Sequence, residues 1–200
     1  MEFNEVLRRR RMVRHFTTEP VDPAAAERII AAGLRAPSAG YSQGYALIVL
    51  ESERERARLW ATHSPPGEGG WSPDVQEGIR KAPLLIAVLA SKDVYLNRYA
   101  QADKGWTDRD EARWPVPYWY VDAGAVAVLL LLACVDEGLG ALLFGIVPDD
   151  IAGFRKEFGV PDSHDLVGCV AIGHEDPAAP RRDLSARRRD RSELVHRGGW

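Results

Sequence analysis

Two hydrophobic patterns alternate along the chain. Continuous apolar runs of strand length over 45–51, 84–90, 142–147 and 166–173 read as strands buried on both faces. Helical stretches lie between them. Asp22 and Pro23 supply an N-cap and first-turn proline for a helix over 24–35 that breaks at Pro37. Ser52 and Glu55 form a capping box for a helix through His63, short helices follow over 75–81 and 94–101, and a helix over 149–158 stops at Gly159 and Pro161. At the start, Phe3, Val6 and Leu7 have helical spacing ahead of an extended stretch. Residues 64–73 and 102–117 read as loops, and both carry tryptophans.

The stretch 119–138 differs from the other helices, because from 123 to 135 it is apolar on every side rather than along one stripe. Such a helix has to be enclosed all round. It is either the central helix of a monomer's core or one that packs on a second subunit as well as its own sheet; we take the second reading, a homodimer. Irregular spacing of strands and helices favours an α+β sandwich with one mixed central sheet over a doubly wound fold. No shift of composition divides the chain, so 1–200 reads as one domain in which 176–200, poor in apolar residues, forms an extended tail.

Composition narrows the class. With 46% hydrophobic and 28% charged residues the chain can build a sizeable core, which excludes a disordered protein. A net charge of −3 argues against a dedicated nucleic-acid binder. The apolar run 123–135 falls short of the roughly 20 residues that cross a bilayer. Cys134 and Cys169 sit in apolar runs without metal-ligand spacing, and no secretory pattern opens the chain, so buried thiols and a cytoplasmic location are expected.

Charge placement is the chief chemical clue. Arg8, Arg9, Arg10, Arg11 and Arg14 stand near one end, and Arg181, Arg182, Arg187, Arg188, Arg189, Arg191 and Arg197 near the other. Guanidinium forks bind phosphate bidentately, so two converging clusters point to a phosphorylated cofactor. Either cluster alone reads more simply as solvated charge; it is the pairing that favours a site. Other chemistry is absent from the pattern. Gly138-Leu-Gly140 lacks the third glycine of a dinucleotide fingerprint, and no Walker loop occurs. The five histidines have no metal spacing, Ser38 and Ser42 lie in no nucleophile elbow, and Asp149 with Asp150 suits a helix start. No metal is expected. Such a chain leaves the difficult chemistry to an organic cofactor.

Three segments carry a resemblance: Arg10-Arg-Met-Val-Arg-His-Phe16 followed by Pro20-Val, Ala36-Pro-Ser-Ala-Gly-Tyr-Ser-Gln43, and Gly138-Leu-Gly-Ala-Leu-Leu-Phe-Gly145 after the long apolar helix. With Gly173-His and an arginine-rich tail ending Arg-Gly-Gly-Trp200, the chain resembles the FMN-dependent nitroreductase family over nearly its full length. The resemblance implies an α+β homodimer with FMN between subunits, the long helix at its centre and the tail 176–200 packing on the partner subunit. It puts Arg10, Arg11 and position Met12 on the phosphate and ribityl chain, and Arg187 and Arg189 on the same phosphate. Arg14 falls at the N1 and C2-carbonyl edge of the isoalloxazine, where a fixed cation makes the ring easier to reduce. Pro37, Ser38, Ala39 and Gln43 fall against the flavin from the other subunit, and Phe144 with Gly145 near N5.

The activity implied is ping-pong transfer of two electrons from NAD(P)H to a planar, electron-poor acceptor such as a nitroaromatic or quinone. Tyr41, Trp71, Trp106, Trp114 and Tyr118 are candidate pocket walls, since π-faces stack on planar acceptors, with core packing as the alternative for each. The sequence departs from the family at Met12, where serine is common, and at Tyr41, where asparagine is frequent. These departures leave a deazaflavin open as the cofactor. A same-fold enzyme that oxidises or dehalogenates a biosynthetic intermediate or fragments flavin with dioxygen, and a flavin-storage protein, are the competing functions.

Overall fold

β2 (Leu84–Ala90) is buried at every position and organises the molecule. In the computed structural model, which describes residues 1–64, 71–180 and 184–200, β2 pairs antiparallel with β1 (Tyr45–Leu50) on one side and β4 (Asp165–Gly173) on the other. β3 (Gly140–Phe144) pairs antiparallel with β4, giving the order β1-β2-β4-β3. The sheet is mixed only at its edge, where Met12 makes a parallel bridge to Ala141. Arg181, Arg182 and residues 65–70 of the first loop lie outside the described residues.

Alternation along the strands assigns each face its own core. Leu84, Ile86, Val88, Val170 and Ile172 join α2 (Pro23–Gly33) and α6 (Tyr118–Asp136) on one face. Leu85, Ala87, Leu142, Phe144, Cys169 and Ala171 join α3 (Glu53–Ala61), α4 (Pro73–Arg80) and α7 (Pro148–Phe158) on the other. The capping box at Ser52 and Glu55 forms as the sequence indicates, and Gly159 takes the left-handed conformation that ends α7. The remaining helices are α1 (Phe3–Arg9) and α5 (Lys92–Tyr99). β3 starts and stops earlier than the expected 142–147, because its pairing runs from Gly140 with Gly173 to Phe144 with Cys169.

By length and hydropathy α6 would qualify to cross a membrane, yet Trp119, Ala123, Val126, Leu130 and Cys134 bury one side of it in the core. Its opposite side is apolar and open: Val121 and Val128 are exposed. The enclosure expected all round is therefore supplied by one chain on one side only.

Candidate functional site

The arginine segment follows α1. Glu5 pairs with Arg8 at 2.7 Å and Arg9 at 2.5 Å, and Arg11 pairs with Glu175. Arg10 and Arg14 are half-buried, and no carboxylate lies within ion-pair distance of either among the described residues. Main chain fixes the segment. Met12 bridges Ala141, the Val13 N–H donates to the Ala141 carbonyl at 2.9 Å, and the Thr17 N–H donates to that of His174 at 2.9 Å. Gly78 of α4 lies so close beneath that a Cβ there would stand 2.6 Å from the Arg14 carbonyl oxygen. Arg14 turns one guanidinium N–H back to the Met12 carbonyl at 3.3 Å.

Arg11 is separated from Arg10 and Arg14. Together with Arg9, Val13, Glu175 and residues 138–141 it lines a cavity of about 300 Å³ to which Arg10 and Arg14 do not contribute. Of the two arginines expected on the phosphate, Arg11 is engaged by Glu175, whereas Arg10 meets no carboxylate among the described residues.

The second group, Pro37–Gln43 in the resemblance, forms a tight turn ahead of β1. Tyr41 and Gln43 hold φ of 55° and 53°, unusual for residues with a Cβ, and Gly40 holds 61°. At Gly40 a Cβ would meet the Tyr99 ring at 2.7 Å, so both backbone shape and space call for glycine. Side chains grip the main chain of this loop. Asp122 accepts the Ala39 N–H at 2.8 Å, Ser38 accepts the Gln43 N–H at 2.9 Å, and Arg98 donates to the Gly40 carbonyl at 2.9 Å. Tyr41, 77% exposed, and Gln43 face outward. Burial and the Asp122 carboxylate hold the Tyr95 phenol far above its usual pKa, so it stays a donor, 2.7 Å from Asp122.

Phe144 is only 5% exposed. Its ring packs with Trp60 at 5.8 Å, Trp71 at 5.3 Å and His63 at 6.4 Å between centroids, which leaves the main chain at 144–145 and the exposed Gly145 as the accessible part of the strand end. Trp71 accordingly belongs to this packing. Burial lowers the His63 pKa against the pull of Asp150, whose carboxylate is 3.4 Å away. Trp106, Trp114 and Tyr118 join a separate cluster: Trp114 lies 4.5 Å from Tyr99, 5.6 Å from Trp106 and 5.8 Å from Tyr118. That cluster supports the loop at Gly40 through Tyr99. The sequence reading missed Asp122, Tyr95 and Arg98; an acid opening an otherwise apolar helix was the available signal.

Within one chain the two groups occupy opposite corners of the sheet. The loop precedes Tyr45, which stands opposite Ala90, whereas Met12 stands beyond β3 at Ala141, in the row of Ile172 and Leu84. Four strand spacings and six residues separate those rows, about 19 Å across and about 20 Å along the sheet before twist. The tail 184–200 is exposed throughout; Arg189 pairs with Glu193 at 3.0 Å, and the Arg187 N–H donates to Leu184 within the tail.

Comparison with known proteins bears on this arrangement. A "5,6-dimethylbenzimidazole synthase" of Rhodobacter capsulatus is 28% identical, covering 98% of this chain and 89% of that protein. An "NADPH-dependent oxidoreductase" of Staphylococcus epidermidis is 24% identical over 90% of this chain and 68% of its own length. An "FMN-dependent Nitroreductase" of Clostridium difficile superposes with a TM-score of 0.70 at 20% identity, covering 98% of both chains. A profile described as "Nitroreductase family" matches residues 7–174, and the chain belongs to the nitroreductase family.

Proposed function

We propose that this flavin-dependent oxidoreductase binds FMN between two copies of the chain and passes two electrons from NAD(P)H to a planar, electron-poor acceptor in alternating half-reactions at one site. The observation that carries the reading is a pair of half-buried guanidinium groups, Arg10 and Arg14, left without an acid among the described residues while Arg8, Arg9 and Arg11 beside them are all paired. A donor set of this kind fits a phosphorylated, electron-accepting ligand. FMN, when bound, supplies the two-electron chemistry through its isoalloxazine ring. Arg10 would hold the phosphate, with Arg187 and Arg189 of the tail closing over it. Arg14 would keep a fixed positive charge where negative charge grows at the pyrimidine edge of the ring. Pro37, Ser38, Ala39 and Gln43 would line the ring from the second copy, and the main chain at 144–145 would lie at its reactive edge. Tyr41 would border the acceptor.

The separation of the two groups on the sheet and the open apolar side of α6, with Val121 and Val128, support assembly by a second copy. The "NADPH-dependent oxidoreductase" relative supports a nicotinamide donor. The test is anaerobic mixing of the purified, flavin-loaded protein with NADH or NADPH. Loss of flavin absorbance within the turnover time, restored by a nitroaromatic or quinone, is expected. A ring that stays oxidised with both nicotinamides would refute the reductase reading.

A second reading is favoured by one observation, the full-length similarity to the Rhodobacter protein named 5,6-dimethylbenzimidazole synthase. On it, the same site would serve a synthase reaction with dioxygen. Admitting air to the reduced protein and analysing the products separates the two: 5,6-dimethylbenzimidazole marks the synthase, and intact FMN marks the reductase.

A further inference from the structure

Among the described residues Asp122 is the only acidic side chain that is buried, at 8% exposure, and no cation of those residues lies within ion-pair distance of it. Isolated buried carboxylates are costly, so its presence in an otherwise apolar helix requires compensation. Helix capping does not provide it: Asp122 is the fifth residue of α6, beyond the free amides of the first turn. Both of its hydrogen-bond partners among the described residues are neutral donors accepted by one oxygen, the Ala39 N–H and the Tyr95 hydroxyl. The first lies in the loop whose Tyr41 and Gln43 are left-handed. Left-handed backbone at residues with a Cβ persists where surrounding contacts over-determine it. Here those contacts are Asp122 on Ala39, Ser38 on Gln43, Arg98 on Gly40, and the Tyr99 ring beneath Gly40.

We infer that Asp122 is a positioning residue: from within α6 it holds the main chain of 38–43 in the shape that presents Gln43 and Tyr41 to the flavin of a second copy. The consequence for flavin rests on the site proposed above; the grip on the loop does not. The Tyr95 hydroxyl donates to the same Asp122 oxygen that accepts the Ala39 N–H, so it helps to orient the carboxylate.

The experiment is amide hydrogen exchange across residues 36–45 of the full-length protein, with an FMN titration and a thermal melt on the same samples. In Asp122→Ala the amides of Ala39 and Gln43 should exchange about 10-fold to 100-fold faster, the loss expected for a hydrogen bond to a charged group. FMN Kd should rise about tenfold while α6 keeps its protection. Asp122→Asn retains a neutral acceptor and should fall between wild type and Asp122→Ala, with exchange at least about threefold faster. Should Asp122→Ala unfold, Asp122→Asn decides the matter. Unchanged exchange in the loop of Asp122→Asn would overturn the inference, as would a loosened loop that binds FMN with wild-type Kd. If wild type takes up no FMN, the site proposal fails while the exchange data still report on the grip.

Discussion

The two groups that make the candidate site are held by opposite means. The arginine segment is fixed by its main chain, through Met12 and Val13 on Ala141 and through Gly78 beneath Arg14, and leaves the side chains of Arg10 and Arg14 unanswered by acids among the described residues. Loop 38–43 is fixed by side chains, through Asp122, Ser38 and Arg98 closing on its amides and carbonyl, and leaves Tyr41 and Gln43 outward. One group offers charge from a rigid backbone; the other offers a rigid surface shaped by buried polar groups. A charged ligand with a flat ring needs both, and each is prepared in advance of binding.

Breaking the charged group should have the largest effect. Arg10→Ala with Arg14→Ala removes two charge-assisted contacts and should weaken FMN binding about 100-fold or more, with the melting temperature nearly unchanged. Fluorescence titration reads the first and circular dichroism the second. Arg14→Ala alone should lower the flavin midpoint potential by about 30 mV or more, equivalent to about 1.4 kcal/mol for a two-electron couple. An unmoved potential removes Arg14 from the electronic role. Gly78→Ala attacks the backbone support instead: with its new Cβ 2.6 Å from the Arg14 carbonyl, it should cost about 1–3 kcal/mol of stability in a urea melt. Wild-type stability there would mean that the segment yields easily.

Smaller effects sharpen the picture. Arg187→Ala with Arg189→Ala should raise FMN Kd about tenfold; full retention of FMN would show that the tail stays off the phosphate. The smallest expected effect concerns His63, packed against Phe144. Its folded pKa lies below the ordinary 6.5, so the unfolded chain binds more protons as pH falls past that value. The His63 contribution is therefore complete above about pH 6.5 and is lost below it, and His63→Phe should flatten this part of a stability-against-pH curve. A curve of unchanged slope would contradict the burial of a neutral imidazole.

Much of the fold was legible because β2 and β4 are buried on both faces, and strands of that kind announce themselves as unbroken apolar runs. β3 was misplaced at both ends because its limits follow pairing, Gly140 with Gly173 and Phe144 with Cys169, which hydropathy does not report. In the site, charge was visible and geometry was not. The arginine run stood out, but which guanidinium meets an acid depends on Glu175, 164 residues from Arg11. Asp122 passed unnoticed because its partner Ala39 is 83 residues away, and one acid ahead of an apolar run reads as a helix entry. Aromatic loops were evident, yet only packing separates Trp71, against Phe144, from Trp106 and Trp114, around Tyr99.

The central claim is that the site is shared between copies, and subunit mixing tests it most directly. A protein carrying Arg10→Ala with Arg14→Ala is unfolded and refolded together with a protein carrying Ser38→Ala with Gln43→Ala. Each variant alone should bind little FMN, while the mixed dimer should regain one wild-type site per dimer, because one of its two sites is built entirely from unaltered halves. Mixed dimers that bind no more FMN than the separate variants would contradict the account.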